Sequence, residues 1–167
     1  DNKNKYPNEP ALSEKIDGLW STFSWSEYYD YVIKIAKSLI AMNLQAGDKG
    51  SIYSYNRKEW FGCYSAMQMI NSTSVAVYHT SSPAEVEWIV GNSDSKIIFV
   101  GHNPNDNGEE DKMPLVRLLS IIDKIESLET IVLMGDDIKP IKNDKIISWD
   151  EFIAKGFDVS DDDILDR

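Results

Sequence analysis

Four short apolar, β-branched runs, at residues 51–55, 74–78, 96–100 and 130–134, are separated by stretches whose apolar residues return at helical spacing. No other feature limits the fold as strongly. Strands that are apolar without interruption are buried on both faces, and parallel neighbours require a crossover, which the intervening helices supply. The reading is α/β: a mostly parallel sheet flanked by helices, with a length that suits one domain.

The helical stretches follow from their periods. Tyr29, Val32, Ile33, Ala36, Leu39 and Ile40 line one face of a helix over 25–42, and Asn43, which tolerates a left-handed backbone, stops it. Trp60, Phe61, Tyr64 and Met67 predict a helix over 57–70, and Leu115, Leu118, Leu119 and Ile122 another over 113–124. Four helix starts place a cap residue three before a glutamate: Ser24 with Glu27, Asn56 with Glu59, Ser82 with Glu85 and Ser148 with Glu151. In that pattern each partner satisfies a backbone N–H of the other, and Pro83 stands at a position where no donor is lost. The aspartates Asp161, Asp162 and Asp163 after Ser160 fit one more helix start through the macrodipole. The polar stretch 101–111 reads as a surface loop.

Charge and composition exclude several functions. Seventeen Lys and Arg against 28 Asp and Glu give 17 − 28 = −11, with no basic cluster, so nucleic acid is excluded as a partner. One cysteine, Cys63, and two histidines, His79 and His102, match no zinc spacing and allow no internal disulfide. Cys63, between Trp60 and Tyr64 on an apolar helix, reads as a buried inert thiol. No apolar run approaches the roughly 20 residues of a transmembrane helix.

Candidate chemistry is sparse. Neither G-x-x-x-x-G-K-[ST] nor G-x-G-x-x-G occurs, so no phosphate-cradling loop is present. Tyr78 ends a strand and His79 and Thr80 follow it, where ligands of parallel sheets sit, and these three are the candidates for a cofactor-binding cleft edge. The plainer reading of Thr80 to Ser82 is a turn and cap. Asp136 and Asp137 also follow a strand and could hold a divalent ion, although a solvated turn explains them equally well. No metal ligand and no catalytic residue is assigned.

The order of segments carries a resemblance. Asn8-Glu9-Pro10-Ala11-Leu12, Thr22 to Tyr28, Ala46-Gly47-Asp48, Tyr55-Asn56-Arg57-Lys58-Glu59-Trp60, Val75 to Pro83, Ser93 to Val100 and Ile147 to Phe152 resemble the amino-terminal part of long-chain fatty acyl-CoA synthetases, members of the adenylate-forming superfamily. The similarity spans nearly the whole chain. Three departures are Asn43 and Asn71-Ser72 where glycine is usual, and Ala76 in place of a common proline.

The resemblance implies an enzyme that joins a fatty acid to ATP, releasing pyrophosphate, and passes the acyl group to the thiol of CoA. A carboxylate oxygen is a poor leaving group, so it is first exchanged for AMP; Mg²⁺ and cationic groups stabilise the phosphate charge. It also implies that the phosphate loop and the carboxy-terminal domain follow residue 167. Residues 1–167 are then expected to be the amino-terminal portion of the AMP-binding domain, a fragment silent by itself that binds none of ATP, Mg²⁺ or CoA tightly. Fatty acid and CoA are the partners of the whole, expected to be cytoplasmic, with peripheral membrane association or a homodimer left open. The competing reading is a self-contained, non-catalytic acidic α/β binding module, supported by compact size and Asp136-Asp137.

Overall fold

The computed structural model describes residues 2–16, 18–101, 113–135 and 143–165. Within them the chain runs α1 (Asn2–Lys5), β1 (Pro10–Ile16), β2 (Leu19–Ser24), α2 (Trp25–Ala41), β3 (Lys49–Tyr53), α3 (Lys58–Met69), β4 (Thr73–Val77), α4 (Pro83–Asn92), β5 (Ser95–Val100), α5 (Pro114–Leu119), β6 (Thr130–Leu133), β7 (Ile146–Ser148), α6 (Trp149–Lys155) and α7 (Asp162–Leu165). Five strands form a sheet in the order β4-β3-β5-β6-β7, every neighbouring pair parallel. The α/β reading holds.

Two apolar layers sandwich the sheet, as strands buried on both faces require. On one face Ile52, Phe99 and Val132 pack with Val32, Ile35 and Leu39 of α2, Cys63 and Met67 of α3 and Phe152 of α6. On the other, Tyr53, Ile98, Val100, Ile131 and Leu133 meet Val86 and Val90 of α4 and Leu115 and Leu118 of α5. Alternation along each strand sends successive side chains to opposite layers.

Helix ends explain two of the sequence departures. Asn43 has φ 62°, with its N–H donating to Ile40 O (2.8 Å) and Leu44 N–H to Leu39 O (3.0 Å). Asn71 repeats the arrangement at the end of α3: φ 55°, with bonds to Gln68 O (3.2 Å) and from Ser72 to Met67 O (2.9 Å). Asparagine thus replaces glycine where a left-handed residue closes a helix. Ala76 is exposed on the edge strand β4, a place that tolerates proline but does not need it.

Several boundaries differ from the sequence reading. The helix read over 113–124 is the six-residue α5 followed by a separate 3-10 turn at Ile122–Lys124. Ser120 donates its hydroxyl back to Arg117 O (2.7 Å), and Ile121 at φ −131° leaves the helical region. Ser24, Ser82 and Ser148 form reciprocal boxes with Glu27, Glu85 and Glu151, and Ser160 exchanges hydrogen bonds with Asp163. The fourth box is corrected: the cap of α3 is Arg57 and makes no side-chain cap bond. Glu59 turns inward to Arg57 instead of outward to Asn56. The antiparallel hairpin β1-β2 was not read from the sequence. Its signal in the sequence was the dipeptide Asp-Gly at 17–18, a pairing that favours hairpins.

Candidate functional site

In parallel sheets ligands lie beyond the carboxyl ends of the strands, above all where the strand order reverses. Here the reversal is at β3. The chain moves outward from β3 to β4, then returns to place β5 on the other side of β3. The segments leaving the strands at that edge are Ser54 to Arg57, Tyr78 to Ser82, Gly101, and Met134-Gly135.

A cavity of about 370 Å³ opens between the ends of β3 and β4, bordered by Ser54, Tyr55, Trp60, Tyr78 and His79. Two sequence candidates, Tyr78 and His79, therefore lie on its wall. Thr80 is exposed on the turn beside it and is not one of the lining residues. Tyr78 is 80% exposed, so its ring is available to a ligand or to further chain. The Ser54 hydroxyl is buried and has no hydrogen-bond partner among the described residues. A larger hollow of about 450 Å³ lies among α1, α2 and α3. Its lysine, Lys3, is held by Asp30 (2.9 Å) and the Tyr29 ring (4.0 Å), and none of its lining residues belongs to the segments that leave the carboxyl edge of the five-stranded sheet, so the smaller cavity is the better candidate.

The loop beneath Tyr78 and His79 is fastened from the protein interior. Ser81 N–H donates to Tyr78 O (2.9 Å), which makes the turn. The buried Tyr53 hydroxyl donates to Ser81 O (2.9 Å), while Arg117 Nη1 of α5 donates to His79 O (3.3 Å) and Ser81 O (3.1 Å). Burial pushes the Tyr53 phenol above its ordinary pKa, and Arg117 beside it offsets part of that. Ser82 and Glu85 then cap α4. The plain turn-and-cap reading is thus correct for the backbone.

Beside the cavity, the reversal point is filled by Arg57. Its Nε donates to Glu59 (2.7 Å), its guanidinium carbon lies 5.7 Å from the Tyr55 ring centroid, and it packs against Gly101 and Gly135 at the ends of β5 and β6. A side chain at Gly101 would come within 2.6 Å of Ser54 Oγ, and one at Gly135 would strike Arg57. Neither arginine was singled out in the sequence. Arg57 was read as part of a cap, and Arg117 sits between Val116 and Leu118, where a cation on an apolar helix was the available signal.

Among the described residues no group of three or more His, Cys, Asp or Glu comes together. His102, the pair Asp136-Asp137 and most of the 101–111 loop lie outside the described residues. Burial holds the Cys63 thiol well above its ordinary pKa. No described helix is long and apolar enough to cross a membrane.

Comparison with known proteins identifies what this sheet belongs to. The AMP-binding enzyme family matches residues 1–160. The chain belongs to the AMP-binding enzyme family. Relatives include the long-chain-fatty-acid–CoA ligase ACSBG2 of Xenopus laevis, 27% identical over 158 residues, covering 95% of this chain and 20% of the relative. Long chain acyl-CoA synthetase 4 of Arabidopsis thaliana is 28% identical over 163 residues, covering 91% of this chain and 23% of that protein. The chain thus spans about a fifth of the length of these curated relatives. Solved structures share the fold: a coronafacic acid ligase from Pectobacterium brasiliense (TM-score 0.76, 22% identity, 95% of this chain and 29% of that one) and the anthranilate CoA ligase AuaEII in complex with anthranoyl-AMP (TM-score 0.75, 18% identity, 92% and 26%). For an AMP-binding enzyme, the cavity at the end of β4 and the arginine at the reversal point lie at the sheet edge where ligands are expected.

Proposed function

We propose that this chain is the amino-terminal wall of a fatty acid–CoA ligase, which activates a fatty acid with ATP as the acyl-adenylate and hands the acyl group to CoA. The observation that carries this is similarity to long-chain ligases along nearly the full chain, together with a five-stranded parallel sheet whose carboxyl edge carries the cavity. ATP, Mg²⁺ and CoA are the cofactors of the whole enzyme. The described residues fit neither a triphosphate nor Mg²⁺: the sequence has no phosphate-cradling motif, and no group of potential metal ligands converges among those residues. No step through those groups is assigned to them.

What these residues do is shape and hold. Tyr78 and His79 border the cleft, and Thr80 lies on the turn beside it. Tyr53 and Arg117 fix the loop that presents them, and Arg57 with Glu59 fills the reversal point of the sheet. On this proposal the fragment alone is silent and the complete enzyme is cytoplasmic.

Thioester formation from palmitate, ATP and CoA by the full-length protein tests the proposal. Acyl-CoA formed only when all three are supplied supports it. A full-length protein that makes no acyl-CoA from any chain length would leave the acidic docking module as the better account.

A further inference from the structure

Loops that follow strands are ordinarily the mobile part of an α/β protein. The turn from Tyr78 to Ser81 departs from that rule. Two carbonyls, those of His79 and Ser81, receive three hydrogen bonds from two different elements, Tyr53 at the end of β3 and Arg117 on α5. One end of the turn is closed by Ser81 N–H to Tyr78 O, and the other runs directly into the Ser82–Glu85 cap. Arg117 is half-buried, and its Nη1 donates to both of these backbone oxygens. Desolvating a guanidinium costs free energy that a plain turn does not require. The side chains carried by this fastened backbone are, by contrast, presented outward: Tyr78 is 80% exposed, Thr80 is exposed and His79 lines the cavity. A rigid backbone under exposed side chains is the arrangement in which a binding geometry is fixed before the ligand arrives.

We infer that Arg117 is a positioning residue for the ligand that enters the cavity bordered by Tyr78 and His79. It holds their loop in its binding geometry from below. The inference rests on the ligase reading for the identity of the substrates, but not for the fastening itself.

The test uses the full-length protein with Arg117→Met, Arg117→Lys and Tyr53→Phe, varying ATP, palmitate and CoA one at a time. The expected result is a KM raised about ten-fold for one of the three in Arg117→Met, with kcat and the other two constants within about two-fold. Arg117→Lys, which keeps the charge but not the planar fork, should recover part of the loss on the same substrate. Because it disturbs folding least, it carries the test if the methionine variant does not fold. Amide hydrogen exchange at residues 79–81 should quicken in both arginine variants without ligand. Unchanged constants, or an equal fall in kcat/KM for all three substrates alongside a lower melting temperature, would overturn the inference. If the unsubstituted protein forms no thioester, the ligase reading fails. The exchange measurement then decides the fastening separately, and unchanged exchange would overturn it.

Discussion

Arg57 Nε donates to Glu59 Oε2 across 2.7 Å, with only 11% and 7% of their side chains exposed. A buried pair of this kind adds little over well-packed apolar residues, yet removing one partner strands the other charge. Glu59→Ala should therefore cost about 3 kcal/mol of stability, while the double change Arg57→Met with Glu59→Met should cost clearly less. Urea denaturation of the three proteins checks this. A single-variant loss no larger than the double would contradict it.

Glycines in two settings should respond oppositely to alanine. Gly91 lies in α4 with open space around it, so Gly91→Ala should stabilise by about 0.5 to 1 kcal/mol. Gly135 has φ 83° and packs on Arg57, so Gly135→Ala should destabilise by about 1 to 3 kcal/mol. Thermal melts of the two variants would show shifts of opposite sign.

Legibility in the sequence followed the range of the forces involved. Four of the five sheet strands, the α2 face and three of the four capping boxes were readable because period and cap chemistry are local: each needs residues no more than four apart. Asn43 was readable for the same reason. What the sequence did not reveal was long-range. Arg117 reaches a loop 36 and 38 residues away, and nothing near position 117 specifies those carbonyls. Glu59 stood in correct spacing for a cap and was drawn inside by Arg57, a competition that only the packed sheet edge decides. Tyr78 and His79 were placed by the general rule of strand ends, which found their cavity without indicating what occupies it.

The capping boxes carry a pH dependence of definite sign. The Ser24 backbone N–H, then its hydroxyl, holds the Glu27 carboxyl below the usual glutamate range, and Glu85 and Glu151 are lowered in the same way by Ser82 and Ser148. A carboxylate whose pKa is depressed by folding stabilises fully above its unfolded pKa, about 4.3 for glutamate, and loses that contribution as pH falls through the lower folded value. Melting temperature should therefore decline from about pH 5 downward. The triple variant with Gln at 27, 85 and 151 should show a shallower decline. Equal slopes would contradict the assignment.

Cys63 should ignore thiol reagents in the folded protein. It is completely buried, and burial raises its pKa, which removes both access and thiolate. Aromatic disulfide reagent should titrate no thiol at this position in buffer and one in denaturant. Rapid labelling under native conditions would show that the α3 face is not packed as described.

The central claim is that this chain is a wall of an adenylate-forming ligase whose reactive groups lie on the rest of the polypeptide. Palmitate-dependent exchange of labelled pyrophosphate into ATP, measured in parallel on the full-length protein and on residues 1–167 alone, tests it most directly. Exchange by the full-length protein and none by the 167-residue chain is the expected result. Exchange by the short chain, or none by the complete protein with any fatty acid, would contradict the account.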